Sequence, residues 1–207
     1  MTKSEFLAQV RRKLYEDTAD LWEDTDLYAF ADEELRTLPR KNIYNEEIWK
    51  LSTEIDKDEY QLPTGTYKVD IVKNDEAYPS TPPNWVKQEG WTVYAGKLFL
   101  DLPADRVEPM RIYIRKSFTP ITSLAVGDTI NMGDDQLEVL VLGTVVRAYS
   151  ALMGYFVDLK NWDYNAKPDG ISMNQVQNWI TTLKAEYMDA IRYAKKSPQP
   201  RDIDLTA

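Results

Sequence analysis

Carboxylates are the reactive groups that this chain has in quantity: it carries 34 Asp and Glu, no His and no Cys. Without imidazole or thiolate, the usual nucleophile–base pairs and zinc sites have no parts to be built from. What is left for chemistry is carboxylate, Lys, Tyr and Ser/Thr. Two carboxyl groups held about 5 to 10 Å apart in a cleft would hydrolyse a glycosidic bond. With 34 acids a pair can always be proposed, so abundance alone locates no such site. The sequence has no phosphate-binding glycine loop, dinucleotide fingerprint, paired-histidine zinc motif or EF-hand loop. Asp158 to Asp163 has a loosely calcium-like composition but lacks the spacing and the terminal Glu. The reading is therefore of no catalytic residues, no cofactor and no metal.

The densest acidic stretch is Glu16, Asp17, Asp20, Glu23, Asp24, Asp26, Asp32, Glu33 and Glu34, nine acids with no base among them. Arg11, Arg12 and Lys13 stand just before it. Together they are the candidate channel-lining or subunit-contact residues. An acidic face repels phosphate. The three cations can pair with a neighbour's acids across a ring-forming interface, or within their own chain, where exposed pairs contribute little. The acidic run also reads simply as a solvated loop and helix face. A net charge of −9 argues against a protein that grips nucleic acid through its phosphates.

The elements that must position these groups follow from periodicity. The spacing predicts a first helix from about Ser4 to Tyr15, opened by a Thr2/Glu5 capping box, with Phe6, Leu7, Val10 and Leu14 on one stripe. A second helix starts after Asp24 or Thr25 and buries Leu27, Phe30, Ala31, Leu35 and Leu38; Pro39 ends it. Asp32, Glu33 and Glu34 flank that stripe and are expected to face outward or toward a neighbour. From Glu47 to Met132 the pattern alternates and turns like a small β domain, with a hairpin at Ala95-Gly96. A long apolar helix is expected after Gly133, and a last one from Ser172 to about Lys196. The expected fold is α+β: a helical bundle made by residues 1–46 and 133–196, with an antiparallel β domain, 47–132, inserted between them.

Residues 197–207 lose all periodicity and are read as an extended mobile tail. Ser197, Pro198, Pro200, Arg201, Ile203 and Leu205 are candidate docking residues for a partner, since an extended segment can add to a sheet edge or lie in a groove. Tyr78 and Trp85, on either side of a Pro-rich loop, are candidate exposed contacts. Trp49, Trp91, Trp179 and Tyr187 lie on apolar faces and are expected in the core. No run approaches the roughly eighteen apolar residues of a membrane span. The first residues carry no apolar signal region. No membrane contact and no export are expected.

Three segments, taken in order, carry a resemblance. Phe6 to Leu14 is followed by Trp22-Glu23-Asp24-Thr25-Asp26-Leu27. Tyr60-Gln61-Leu62-Pro63 leads into Tyr67-Lys68-Val69-Asp70-Ile71. Arg111-Ile112-Tyr113-Ile114-Arg115-Lys116 precedes the helix from Asp134 to Ala151. This succession resembles the head-to-tail adaptor, or connector, proteins in the neck of tailed bacteriophages, over residues 4 to 192. The resemblance implies a virion structural protein and not an enzyme: a ring, commonly twelve-fold, that joins the portal to the tail and surrounds the DNA exit channel. Its partners would be the portal protein, a downstream neck or tail protein, and copies of itself. DNA would pass without sequence-specific binding. It would sit in the virion neck, and in the host cytoplasm during assembly. The long inserted segment departs from short all-helical adaptors. Two alternatives stay open: another neck or tail-completion ring protein, and, from a different class, a carbohydrate-binding or carboxylate-based glycosidase domain.

Overall fold

A computed structural model describes residues 1–15, 21–75, 84–162 and 173–196. They form four helices and two antiparallel sheets, a mixed α+β content. The chain divides into two units: Met1–Ile43 with the chain from Phe118 through the last helix, and Tyr44–Ser117.

In the helical unit, α1 (Lys3–Leu14) opens on the capping box that its sequence announces. Thr2 Oγ1 accepts the Glu5 N–H at 3.2 Å, and Glu5 accepts the Thr2 N–H at 2.8 Å. Two of the helix's orphan donors are thereby satisfied. The Thr2 backbone N–H first, and the Thr2 hydroxyl second, hold the Glu5 carboxyl below its ordinary value. Helix α2 (Asp24–Thr37) runs straight into a 3-10 turn, Leu38–Lys41, with Pro39 at its start. Trp22 packs edge-on against Phe30 just ahead of it, at 5.6 Å.

Helix α3 (Asp134–Trp162) is packed against α1, α2 and α4 (Met173–Lys196). Phe6, Leu27, Leu140 and Val145 are all fully buried in the shared core. By length and composition Asp134–Gly154 could cross a membrane, with a mean hydropathy of 1.4. Two thirds of that window is buried inside the protein, so its apolarity has a use as the core helix of this unit.

Residues 118–132 correct the expected boundary. The sequence pattern places them in the β segment, but Phe118, Ile121 and Ile130 belong to the helical core. Backbone bonds tie this stretch to the start of α1: Lys3 N–H to Asp128 O at 3.0 Å and Ile130 N–H to Met1 O at 2.9 Å. Lys3 Nζ also donates to Leu124 O at 2.7 Å. A single antiparallel bridge joins Thr129 to Thr2.

The second unit holds β1 (Asn45–Ser52), β2 (Glu59–Gln61), β3 (Thr66–Asp75), β4 (Trp85–Lys87), β5 (Trp91–Tyr94), β6 (Lys97–Leu100) and β7 (Pro109–Lys116). One sheet has the order β1-β7-β3-β4, the other β2-β6-β5. Both contribute to one apolar cluster: Val69 and Val72, on either side of a register shift in β3, with Met110, Ile112 and Ile114 from the first sheet, and Tyr60, Leu98 and Leu100 from the second. The β5–β6 turn has positive φ at both Ala95 and Gly96, the backbone of a tight primed hairpin turn. Trp49 and Trp91 are half-buried against this cluster. Tyr187 is buried in the helical core. Trp179 differs from its expected core position: it lies beside Tyr149 at 5.6 Å and remains over a third exposed.

Candidate interaction surfaces

The acidic helix is less of an open surface than its sequence suggests. Helix α2 is covered on both flanks, so its buried face takes in Ala31, Asp32, Glu34 and Leu35 together. Asp32, expected outward, is buried and accepts the Ile121 N–H and the Thr122 hydroxyl, capping the 3-10 turn Ile121–Ser123. Glu34 is also buried, its side chain only 3% exposed. Its Oε1 accepts Lys41 Nζ at 2.7 Å and the Tyr187 hydroxyl, while Oε2 accepts Arg147 Nε at 3.0 Å. One carboxylate thus joins α2, the following turn, α3 and α4.

Burial by itself pushes the Glu34 carboxyl up. The hydrogen bonds from Lys41 and Tyr187, with the charges of Lys41 and Arg147, more than offset this and hold it below its ordinary value. Tyr187 is driven far above its ordinary value, by burial first and then by its bond to the Glu34 carboxylate. Both directions mark a fixed structural tie. A general acid would need its proton free to leave near working pH.

Gly143 shows how closely the tie is packed: a Cβ there would stand 2.6 Å from Glu34 Cγ and 2.7 Å from Cδ. With three donors holding Glu34, its side chain has little room to move. Gly143→Ala is expected to cost about 1–3 kcal/mol by overpacking, although Ala favours a helix over Gly by about 1 kcal/mol. In a background lacking the Glu34 side chain the same change should become neutral or stabilising. Thermal unfolding of the two single variants and the double variant checks this coupling.

The other acids are placed as follows. Asp24 pairs with Arg11, which is buried and also donates to Trp22 O at 3.1 Å. Glu33 is exposed and pairs with Arg147 at 3.2 Å. Glu23 and Asp26 are exposed at the α2 start, where the Asp26 carboxylate accepts the Glu23 N–H at 3.3 Å. Lys13 stands 3.8 Å from Glu186, both about half exposed. Arg12 is exposed and forms no ion pair among the described residues. So Arg11 is engaged within its own chain, and Arg12, Glu23 and Asp26 are the exposed members that form no ion pair among the described residues. Glu16, Asp17, Asp20, Tyr78, and the tail residues Ser197, Pro198, Pro200, Arg201, Ile203 and Leu205 lie outside the described residues.

Trp85 is in strand β4, half-buried, with the Arg111 guanidinium 4.1 Å above its ring centroid. It is part of a surface that sequence reasoning missed. On the four-stranded sheet Lys50 pairs with Arg111, Arg111 with Lys73, and Lys73 with Lys87. The neighbouring residues Trp49, Ile112 and Val72 point into the core, so these four cations share the opposite face. No linear pattern announces such a row, because each strand supplies one member. Among the described residues no group of acids, His or Cys could hold a metal ion.

No protein-family model and no curated protein matches this chain. Solved structures of gene transfer agent particles show a distant likeness. One is the neck of an empty particle computed with C6 symmetry, 17% identical with a TM-score of 0.30, covering 86% of this chain and 88% of that one. Another is the virion of a native particle, 14% identical with a TM-score of 0.30, over the same shares. A likeness this distant decides neither the fold nor the role of the chain.

Proposed function

We propose that this chain is a structural neck component of a tailed bacteriophage or phage-like particle: a head-to-tail adaptor that forms a ring between portal and tail, around the DNA exit channel. The observation that carries the reading is the order of the resembling segments and the elements on which they fall. Trp22 seats against α2, the Tyr60–Pro63 segment is the β2-to-β3 turn, Arg111–Lys116 is the end of β7, and Asp134–Ala151 is the body of α3. A non-enzymatic role fits the two buried acids of α2. Asp32 and Glu34 have their oxygens taken up by donors of their own chain, and carboxylates so engaged are poor acids and bases. The exposed Arg12, Glu23 and Asp26 are then available for contacts between neighbouring copies.

The test is the solution mass of the purified chain, alone and mixed with a portal ring. The expected result is a monomer that joins the portal as a closed ring, with weaker docking when residues 197–207 are removed. A chain that ignores the portal at every concentration tried would sink the reading.

A further inference from the structure

Strand β5 is an open sheet edge without the usual guards. Four described strands stand at sheet edges: β1 and β4 in one sheet, β2 and β5 in the other. Glu46, Glu47 and Lys50 lie in β1, Lys87 in β4 and Glu59 in β2, and charges of this kind keep a further strand from adding. Trp91-Thr92-Val93-Tyr94 has no charge and no Pro, and all four residues favour strands. Next to the two-residue turn, the pair Tyr94 and Lys97 exchanges both backbone bonds. Thr92 and Phe99 do the same by alternation, and Gly90 O keeps the step by accepting the Asp101 N–H at 2.8 Å. Val93 and Trp91 therefore turn their N–H and C=O to the open side. Among the described residues nothing bonds them there. The apolar cluster also runs out at this edge. Val93 stands opposite the fully buried Leu98, on the cluster face, and is still 43% exposed. Trp91, opposite Leu100, is half-buried.

We infer that the β5 edge takes residues 202–206 of a second copy of this chain as an added strand. After α4, only Asp202-Ile203-Asp204-Leu205-Thr206 alternates polar and apolar residues as a strand does, and it matches β5 in length. Ile203 and Leu205 would cover Trp91 and Val93. The two Asp then fall on the side of Thr92 and Tyr94, which carry no charge to oppose them. Residues 197–201 supply a link of up to about 17 Å. One donor segment and one acceptor edge on each copy make a heterologous contact, the kind that repeats around a ring. So short a strand gains about four backbone bonds, too few to hold two free copies together. It fills where neighbours are already held side by side, at an effective concentration of about millimolar. The ring of the neck reading is such a place, and the contact rests on that reading for its second copy. Removal of residues 197–207 then weakens docking by breaking a contact between copies.

The chain has no Cys, so engineered ones report without background. Val93→Cys chains are mixed with Leu205→Cys chains, assembled on a portal ring and mildly oxidised. Disulfide-linked pairs of unlike chains are expected, several-fold more than with Asp204→Cys, whose side chain falls on the other face. Equal linkage through positions 204 and 205, or no linkage in an assembled ring, would overturn the contact and leave the neck reading standing. A double variant, Val93→Cys with Leu205→Cys, that closes within single chains would overturn the assignment to a second copy. A second measurement needs no portal. A peptide of residues 197–207 is titrated into the isotope-labelled full chain and followed by NMR. The Trp91 and Val93 amides should shift, with half-saturation at about millimolar peptide. The peptide carrying Ile203→Asn and Leu205→Asn should bind at least about tenfold more weakly. A parent peptide that moves neither amide overturns the contact whether or not a ring forms. If the chain ignores the portal and the peptide still shifts both amides, the neck reading falls and the edge keeps its assignment.

Discussion

Glu34→Ala should destabilise the helical unit by about 3–5 kcal/mol, the range for removing one partner from a buried ionic cluster. The side chain is 3% exposed and its two oxygens receive Lys41, Tyr187 and Arg147. Deleting it takes away the acceptor of the Tyr187 hydroxyl, which keeps only the bond it accepts from Lys41, and leaves the part-buried Lys41 and Arg147 without their common counter-charge. Helix unfolding followed by circular dichroism should move down by roughly 10 °C. Glu34→Gln keeps the shape and part of the hydrogen bonding, so its loss should be smaller. The pH dependence follows from the directions of the shifts. A folded-state carboxyl lowered from the ordinary 4.5 stabilises fully above that value, and the contribution is lost as pH falls through the folded value. The gap between parent and Glu34→Gln should therefore close on acidification below about pH 4.5. Tyr187 works at the other limit. Raised above its ordinary 10.0, it contributes stability that is present below that pH and lost as pH rises beyond it. A variant gap that stays constant across the acid range would show that the charge of Glu34 contributes nothing.

Ile112→Ala should have an effect of similar size in the other unit, about 2–5 kcal/mol. Ile112 is fully buried on β7, the strand hydrogen-bonded on both sides, and it faces Trp49 on β1 and Val72 on β3. Removing its branched side chain opens a void at the centre of the apolar cluster, where the paired strands prevent collapse. Hydrogen exchange of the Val69, Val72, Ile112 and Ile114 amides reads the loss locally. Protection that does not change would mean that the strands are held by something other than this cluster.

These two sites differ in how far the sequence exposes them. Ile112 is legible: Arg111-Ile112-Tyr113-Ile114-Arg115 alternates, and alternation assigns Ile112 and Ile114 to one face without knowledge of any partner strand. Glu34 misleads. It adjoins Asp32 and Glu33 in a run of acids, and a charged residue at the border of an apolar stripe normally faces water. Whether it does depends on how much of the helix its neighbours cover. Here residues 118–132 close one flank and α3 with α4 the other, so Asp32 and Glu34 are buried and only Glu33 of the three stays outside. Arg11 is a parallel case, drawn in by Trp22 and Asp24 and so removed from the surface that its sequence position suggested.

The sequence by itself determined the type and order of the elements. Helical period, strand alternation, the Thr2/Glu5 box, and the Ala95-Gly96 turn are each written within a few consecutive residues, and short-range sterics and hydrogen bonding suffice to read them. The tertiary structure decided which charges meet. The Glu34 cluster gathers residues 34, 41, 147 and 187, and the cationic row takes one residue from each of four strands. The reason is physical: cross-strand register and helix contacts are set by the packing of whole apolar faces, and a one-residue slip in any strand would turn its cation inward.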